Sequence, residues 1–453
     1  MKSVLEKIRS IWAVKDVRSK ILFTGLILLI YRLGAAVPVP YISSNVMQSF
    51  SQVYGGTILE YLNLLSGSAL SQATVLALGI SPYITASIVL QLLTVAIPPL
   101  QRMSKEEDGK KKIAQITRIV TVVLAIITAI AYYRILVGQR WLTPTDLPEW
   151  FRAIIIIACF TAGSSIVMWL GEKINEHGIG NGISMILFAN ILSRLPHIIL
   201  GLWNLFLGFR DLFVKHKMYT AAATAVAAVI ALVGIVAVIA IIALIIFITN
   251  SERRIPVVYS KRVIGRKMYG GQNTNLPLKL NMSGVMPIIF ASSIVSLPAT
   301  IFTLLGYSKE SKGFIGALLK TLEATSPLYI IIYIALIIAF SYFYILISFD
   351  PVEVSNNLKK NGGSVLGIRP GAPTTAYIKR ILNRITFIGA IFLSIVAGLP
   401  LIINAIASAA KFTALSGIAF GGSSLLIVIG VALETYRAIE AQMSLRHYKG
   451  FLQ

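Results

Sequence analysis

Residues 79–87 read GISPYITAS and residues 284–292 read GVMPIIFAS. Both fit G-x-x-P-x-I-x-A-S, with Gly79, Pro82, Ile84, Ala86 and Ser87 matching Gly284, Pro287, Ile289, Ala291 and Ser292. The two copies lie 205 residues apart, close to half of the 453-residue chain. Each copy sits in an apolar run of about twenty residues, the length that crosses a hydrocarbon core about 30 Å thick. Ten such runs are expected, near 21–40, 74–97, 113–136, 152–171, 183–202, 220–249, 284–305, 327–349, 383–403 and 415–435. The repeat relates the second to the seventh. An odd offset of five spans means that the halves enter the membrane with opposite orientation, an inverted repeat about an axis in the membrane plane. A weaker echo, GISMIL at 182–187 and GSSLLI at 422–427, relates spans five and ten.

Composition agrees with an all-α polytopic membrane protein. Hydrophobic residues make up 56% of the chain, charged residues 13%, and mean hydropathy is +0.79. A soluble protein carries about twice that charged fraction. Cys159 is the one cysteine, so no internal disulfide is possible, and it reads as a small core or lipid-facing residue. Residues 1–20 mix Lys2, Lys7, Arg9, Lys15, Arg18 and Lys20 with Val4, Leu5, Ile8, Ile11 and Trp12, which predicts an amphipathic helix on the membrane surface. They lack the compact apolar core and small-residue site of a cleaved signal peptide.

The formal charge of +23 is distributed unevenly. With the N-terminus in the cytoplasm, 29 of the 41 Lys and Arg fall in cytoplasmic segments and 11 in outer ones, leaving Arg32 inside the first span. The positive-inside rule therefore favours cytoplasmic termini. Orientation needs only a few charges beside each span. The loop around 253–279 carries Arg253, Arg254, Lys261, Arg262, Arg266 and Lys267, and the loop 350–384 carries Lys359, Lys360, Arg369, Lys379 and Arg380. Two basic loops of this length point to an acidic or polyanionic docking partner, or to anionic lipid headgroups at about 1 kcal/mol per basic residue.

The outer loop from Pro38 to Ala73 has no Lys or Arg and contains GGTILEYLNLLSGSALSQ at 55–72. Ile58, Leu59, Leu62 and Leu65 suit one face of a short helix. Such a helix is too short to span, so it must be re-entrant or buried in protein. No HExxH, paired carboxylate or Ser/His/Asp set lies within the spans, so no enzyme is indicated. His177, GIGNG at 178–182 and Glu172 sit at a loop edge, where the glycines read as a flexible loop and not as a phosphate cradle. An ion-coupled secondary transporter with inverted repeats is the alternative to a channel. Its coupling site calls for titratable side chains at mid-membrane, whereas Glu172, Asp350 and Glu434 cluster at span ends. Arg32 lies near an end and can snorkel, and Arg194 is expected in an outer water-filled vestibule. An apolar constriction that gates by excluding water fits better.

Several longer motifs resemble the SecY family over nearly the whole chain. RLGAAVPVP at 32–40, SGSALSQATVLALGISPYITASIVLQLL at 66–93 and MWLGEKINEHGIGNGISMILFANI at 168–191 are similar to its first, second and fourth-to-fifth span regions. SERRIPVVYSKR at 251–262, LPLKLNMSGVMPIIFASSI at 276–294 and LKKNGGSVLGIRPG at 358–371 resemble its two large cytosolic loops and seventh span. Two features depart from the pattern: the thirty-residue apolar run 220–249, and Arg194 where a small residue is usual.

The resemblance implies ten transmembrane helices in two inverted five-helix halves around a central pore. Residues 21–205 would hold spans 1–5 with a plug at 58–72. Residues 206–436 would hold spans 6–10 with cytosolic loops 250–283 and 350–382, ahead of a cytoplasmic tail, 437–453. An apolar pore ring would fall on Ile80, Ile84, Leu187, Ile191, Ile289 and Ile427, and the plug on Leu59, Leu62, Leu65 and Ser68. A lateral gate of spans 2, 3, 7 and 8 would include Thr85 and Leu297. Arg253, Arg254 and Arg369 would dock cytosolic partners. The implied partners are the small membrane subunits SecE and SecG, the SecA motor ATPase, the ribosome, preprotein and signal-sequence substrates, and anionic lipids. The resemblance implies no cofactor, no metal and no enzymatic activity, and places the chain in the inner membrane of a bacterium with both termini cytoplasmic.

Overall fold

Gly79 and Gly284, which open the two repeat copies, both take the left-handed backbone conformation, with φ of 54° and 62°. Glycine reaches that region without a Cβ penalty. Two residues later each copy enters a helix, Ser81–Ala96 in the first and Met286–Leu304 in the second. Pro82 and Pro287 occupy the first turn, where a missing N–H costs no intrahelical bond. The sequence repeat is thus a repeat of backbone conformation.

The computed structural model describes residues 4–43, 46, 50, 63, 66–193, 206–207, 210, 220–259, 262–264, 267–269, 273–304, 313–323, 326–409 and 421–449. In chain order these form α1 (Val4–Ala13), α2 (Lys15–Gly34), α3 (Ser81–Ala96), α4 (Pro98–Lys105), α5 (Glu107–Gly138), α6 (Glu149–His177), α7 (Gly182–Leu192) and α8 (Thr220–Asn250). The strands β1 (Glu252–Tyr259), β2 (Arg262–Ile264), β3 (Lys267–Tyr269) and β4 (Asn273–Lys279) follow. Then come α9 (Met286–Leu304), α10 (Phe314–Thr321), α11 (Pro327–Ser348), α12 (Pro351–Lys360), β5 (Gly363–Val365), α13 (Ala372–Ala409) and α14 (Gly421–Lys449).

A helix lies at each of the ten expected positions. Among the described residues five are by themselves long and apolar enough to cross a membrane, and α3 with α4, bent by 110°, makes a sixth crossing if taken together. The protein wears its hydrophobic residues outside: Leu232, Val233, Val236 and Ile239 of α8 are exposed, and Phe247 is 71% exposed. A lipid solvent makes that surface favourable.

The packing repeats as well. In the first half α3 packs on α5, α5 on α6 and α6 on α7; in the second, α9 packs on α11, α11 on α13 and α13 on α14. The halves meet most extensively where α7 lies against α14, and more lightly where α9 touches α3 and α5.

Several boundaries differ from expectation. The predicted surface helix 1–20 ends at Ala13; Val14 is extended, and α2 begins at Lys15, well before residue 21. The second span becomes helical only at Ser81, because 66–80 is a chain of turns. Span nine begins at Ala372, inside the expected loop 350–382, and α14 runs through Lys449, so most of the expected tail continues span ten. Arg194 and the later part of span five, together with Leu59, Leu62 and Leu65, lie outside the described residues.

The glycines of GIGNG form a tight crossing where a flexible loop was expected. A Cβ on Gly182 would lie 1.9 Å from the Gly171 carbonyl oxygen, and one on Gly178 would lie 2.6 Å from the Thr24 hydroxyl. Asn181 caps α7, its side-chain oxygen accepting from the Ile183 and Ser184 amides, and Asn175 accepts from the Gly182 amide at 2.7 Å. Replacing Gly182 with Ala should destabilise the protein by about 1–3 kcal/mol through overpacking. Gly25→Ala, with nothing within 4 Å of the new methyl, should be neutral or slightly stabilising. The thermal midpoints of the detergent-purified variants check both.

Candidate functional site

All six expected ring residues come together. Ile80, Ile84, Leu187, Ile191, Ile289 and Ile427 are buried and belong to one apolar cluster drawn from both halves. The repeat-related pair has nearly equal exposure, 7% for Ile84 and 6% for Ile289, and Ala86 and Ala291 are both fully buried. The fainter echo is structural too: Ser184 and Ser424, Ile186 and Leu426, and Leu187 and Ile427 are all buried. Branched apolar side chains from both halves therefore share one buried cluster.

Beside this cluster runs the irregular segment 66–80. Its backbone groups are paired locally and with the surrounding helices. Asn63, buried, accepts from the Ser71 amide through its side chain at 2.9 Å, and through its carbonyl from the Ser66 hydroxyl and the Ser68 amide. The Tyr132 hydroxyl donates to the Leu70 carbonyl, and the Ser164 hydroxyl donates to the Gly79 carbonyl. The Val75 amide donates to Val37, and the Val39 amide to Ala73. Such pairing is what non-helical backbone at membrane depth requires. Ser68, the described member of the expected plug set, has φ 73° and sits in these turns, so 66–72 does not continue a plug helix.

The Arg32 guanidinium reaches Gly67. A Cβ on Gly67 would lie 2.9 Å from its Nη1, 3.0 Å from Asn190 Oδ1 and 3.2 Å from Asn190 Cα. Asn190 is fully buried between Leu187 and Ile191 on α7. Sequence reasoning missed Asn190 and Asn63; the available signal was a lone amide inside an apolar run.

Thr85, on α3, is half-buried and donates its hydroxyl to the Ser81 carbonyl. Leu297 lies on α9. Their helices touch lightly, at the seam between the halves.

At the loop ends the two basic segments form one sheet, ordered β4-β1-β5 and antiparallel throughout. Ile255 and Val257 of β1 point into a cluster with Leu278, Leu358, Val365, Ile378 and Leu382, while Arg253 and Arg254 before them and Pro256 between them are exposed. Pro256 is tolerated in the central strand because its missing N–H would point past the end of β5, whose ladder begins at Val257, while its carbonyl still accepts from the Leu366 amide. Arg254 Nε lies 2.7 Å from Glu252 Oε1, an exposed pair. Arg369 is exposed between Gly367 (φ 78°) and Gly371 (φ 103°), with its carbonyl accepting from the Thr374 hydroxyl. Burial, and then the Arg437 charge, hold the Lys279 ammonium below its ordinary pKa. Arg437 also donates to the Thr249 carbonyl and the Asn250 side chain, closing the C-terminus of α8.

These features define a class, a polytopic α-helical membrane protein whose two similar halves share a buried apolar cluster. A family model described as SecY matches residues 74–436. The chain is 40% identical over 448 residues to the protein translocase subunit SecY of Streptomyces galbus, covering 97% of each. It is 39% identical over 454 residues to that of Mycobacterium tuberculosis (strain ATCC 25618 / H37Rv), again covering 97% of each. The chain belongs to the SecY family. Among solved structures it is similar to a protein-conducting channel (TM-score 0.61, 17% identity, 94% of this chain and 92% of that one). It is also similar to Sec61 in the canine ribosome-channel complex from the endoplasmic reticulum (TM-score 0.58, 17% identity, 94% and 92%).

The joint between the basic loops gives a direct test. A Cβ on Gly363 would meet the Tyr259 ring at 2.8 Å. Gly363→Val should part β5 from β1, and amide hydrogen exchange should accelerate together at Val257–Tyr259 and Gly363–Val365 with the helices of the central apolar cluster unchanged.

Proposed function

We propose that this chain is the pore subunit of a protein-conducting channel, passing unfolded preproteins across the membrane and releasing transmembrane segments sideways into lipid. It is not an enzyme. The observation that carries this reading is the neck: six branched apolar side chains from both halves converge in one buried cluster. A polypeptide-sized passage must block ions at rest. Branched apolar groups do so by shaping a neck that water leaves, and they deform around a passing chain. A secondary transporter would place titratable side chains there instead.

In this reading Ile80, Ile84, Leu187, Ile191, Ile289 and Ile427 form the ring. The segment 58–72, with Leu59, Leu62, Leu65 and Ser68, plugs it from outside. The light contact of α9 with α3 and α5 supports a lateral gate there, near Thr85 and Leu297. The solved relatives include ribosome-bound complexes, which supports docking of a ribosome on the sheet that carries Arg253 and Arg254. The exposed Arg369 loop suits the SecA motor. SecE, SecG and anionic lipids complete the assembly, in a bacterial inner membrane with both termini cytoplasmic.

Replacing Ile84 and Ile289 together with Ser adds hydroxyls and removes bulk at the neck. Single-channel recordings should show ion leak through the resting channel, with preprotein transport retained. The same change at exposed Ile235 and Ile239 of α8 should leave conductance unchanged. An equal leak from both proteins would reduce the neck residues to packing.

Arg369→Glu should abolish motor-driven translocation while leaving the fold intact, because a solvent-exposed loop side chain contributes little packing and its reversed charge repels an acidic docking face. Translocation into vesicles with and without the motor, beside an unchanged thermal midpoint, checks it.

A further inference from the structure

Arg32 is a half-buried charged group in the helix of the first span, and its guanidinium reaches the backbone of Gly67. Such residues are costly and mark function or a specific partner. It lies in the last turn of α2, where its long side chain had an outward route to the interface. Its guanidinium instead lies against the backbone of Gly67, and the Asn190 side chain of α7 lies against the same glycine from another side. Gly67 has φ 67° and Ser68 φ 73°, so the chain makes a left-handed kink at the point where the two polar groups meet it. Only glycine fits: a Cβ there would be strained by φ and would collide with both partners. Gly67 opens the braced stem 66–80, and Asn190 shares α7 with Leu187 and Ile191 of the neck.

We propose that Arg32 and Asn190 form a clasp over Gly67 that holds the plug stem in the resting channel, and that Arg32 is thereby a positioning residue setting how strong a signal sequence must be to open it. The inference rests on the plug reading of 58–72. Both clasp arms belong to the first half, so the clasp resists movement of the stem relative to its own half and leaves the seam between halves free. When the stem withdraws, Arg32 faces the water-filled outer vestibule, where hydration replaces the lost contacts. The latch is therefore reversible. Its guanidinium offers five donors in a planar fork, which a lysine ammonium does not reproduce.

The test uses the complete channel complex in proteoliposomes, in a Cys159→Ser background with Ser68→Cys as reporter and a membrane-impermeant maleimide added from the outer side. Arg32→Gln should speed labelling of the reporter about tenfold, the order expected for losing a polar contact made by a charged group. Arg32→Lys should give a smaller rise. Gly67→Ala should match Arg32→Gln, and the double variant should be no faster than the faster single one, since both break one contact. Preproteins with weakened signal sequences should be transported better by the same variants. Unchanged labelling in both Arg32→Gln and Gly67→Ala would overturn the clasp; if Arg32→Gln does not assemble, Gly67→Ala alone decides. The plug reading is tested separately by joining Ser68→Cys to Ile191→Cys with a bismaleimide. Blocked transport supports the plug, and normal transport would overturn it, and with it the ground for the clasp.

Discussion

Inside a bilayer no water is available to pair a free amide or carbonyl, and each unpaired group costs several kcal/mol. The structure is organised around meeting that requirement in the segment where the chain is not helical. Residues 66–80 enter the bundle as consecutive turns, and their polar groups are paired by Asn63, Ser66, Tyr132, Ser164 and the backbone of 37–39. Because the stem is braced this way, α3 can start at Ser81 beside the central apolar cluster. That places Ile80 and Ile84 in the central cluster with Ile289.

Close approach of backbones is the second requirement. Gly163 lies on the Val75 carbonyl, Gly182 on the Gly171 carbonyl and Gly389 on the Leu280 carbonyl. Association of helices in lipid relies on such contacts, because lipid tails remove the hydrophobic drive available in water. The α6–α7 turn shows the consequence. Its glycines let it wedge between Thr24 of α2 and Thr435 of α14, one residue from each half. A rigid turn at that place gives the halves a fixed joint on one side while the seam at α9 stays lightly packed.

Outside the membrane the physical rules change and so does the structure. Where water competes for hydrogen bonds the chain builds a small sheet with its own apolar cluster, and the strand β1 alternates buried Ile255 and Val257 with exposed neighbours. Two loops separated by three helices thus share one rigid platform. Their arginines remain at its surface, where single ion pairs such as Arg254 with Glu252 contribute about 0–1 kcal/mol and leave the charge available to a partner.

The sequence alone determined the class, the positions of the spans and the repeat, because hydropathy over twenty residues and a shared G-x-x-P-x-I-x-A-S pattern are local properties that no packing can erase. The six residues that family likeness proposes for the ring, two of them also related by the repeat, fall in one buried apolar cluster. Tertiary structure decided what depends on which surfaces meet. GIGNG has the composition of a flexible loop, and only the approach of Gly171, Thr24 and Thr435 makes it a packed crossing. β1 and β5 lie about a hundred residues apart, so neither strand's pattern could reveal their pairing. Arg32 could reach water by its length, and its inward turn follows from a kink at Gly67 that the fold supplies. Local pattern fixes which residues enter the membrane, whereas the neighbours of a half-buried charge or the partner of a backbone amide are settled only when distant segments arrive beside it.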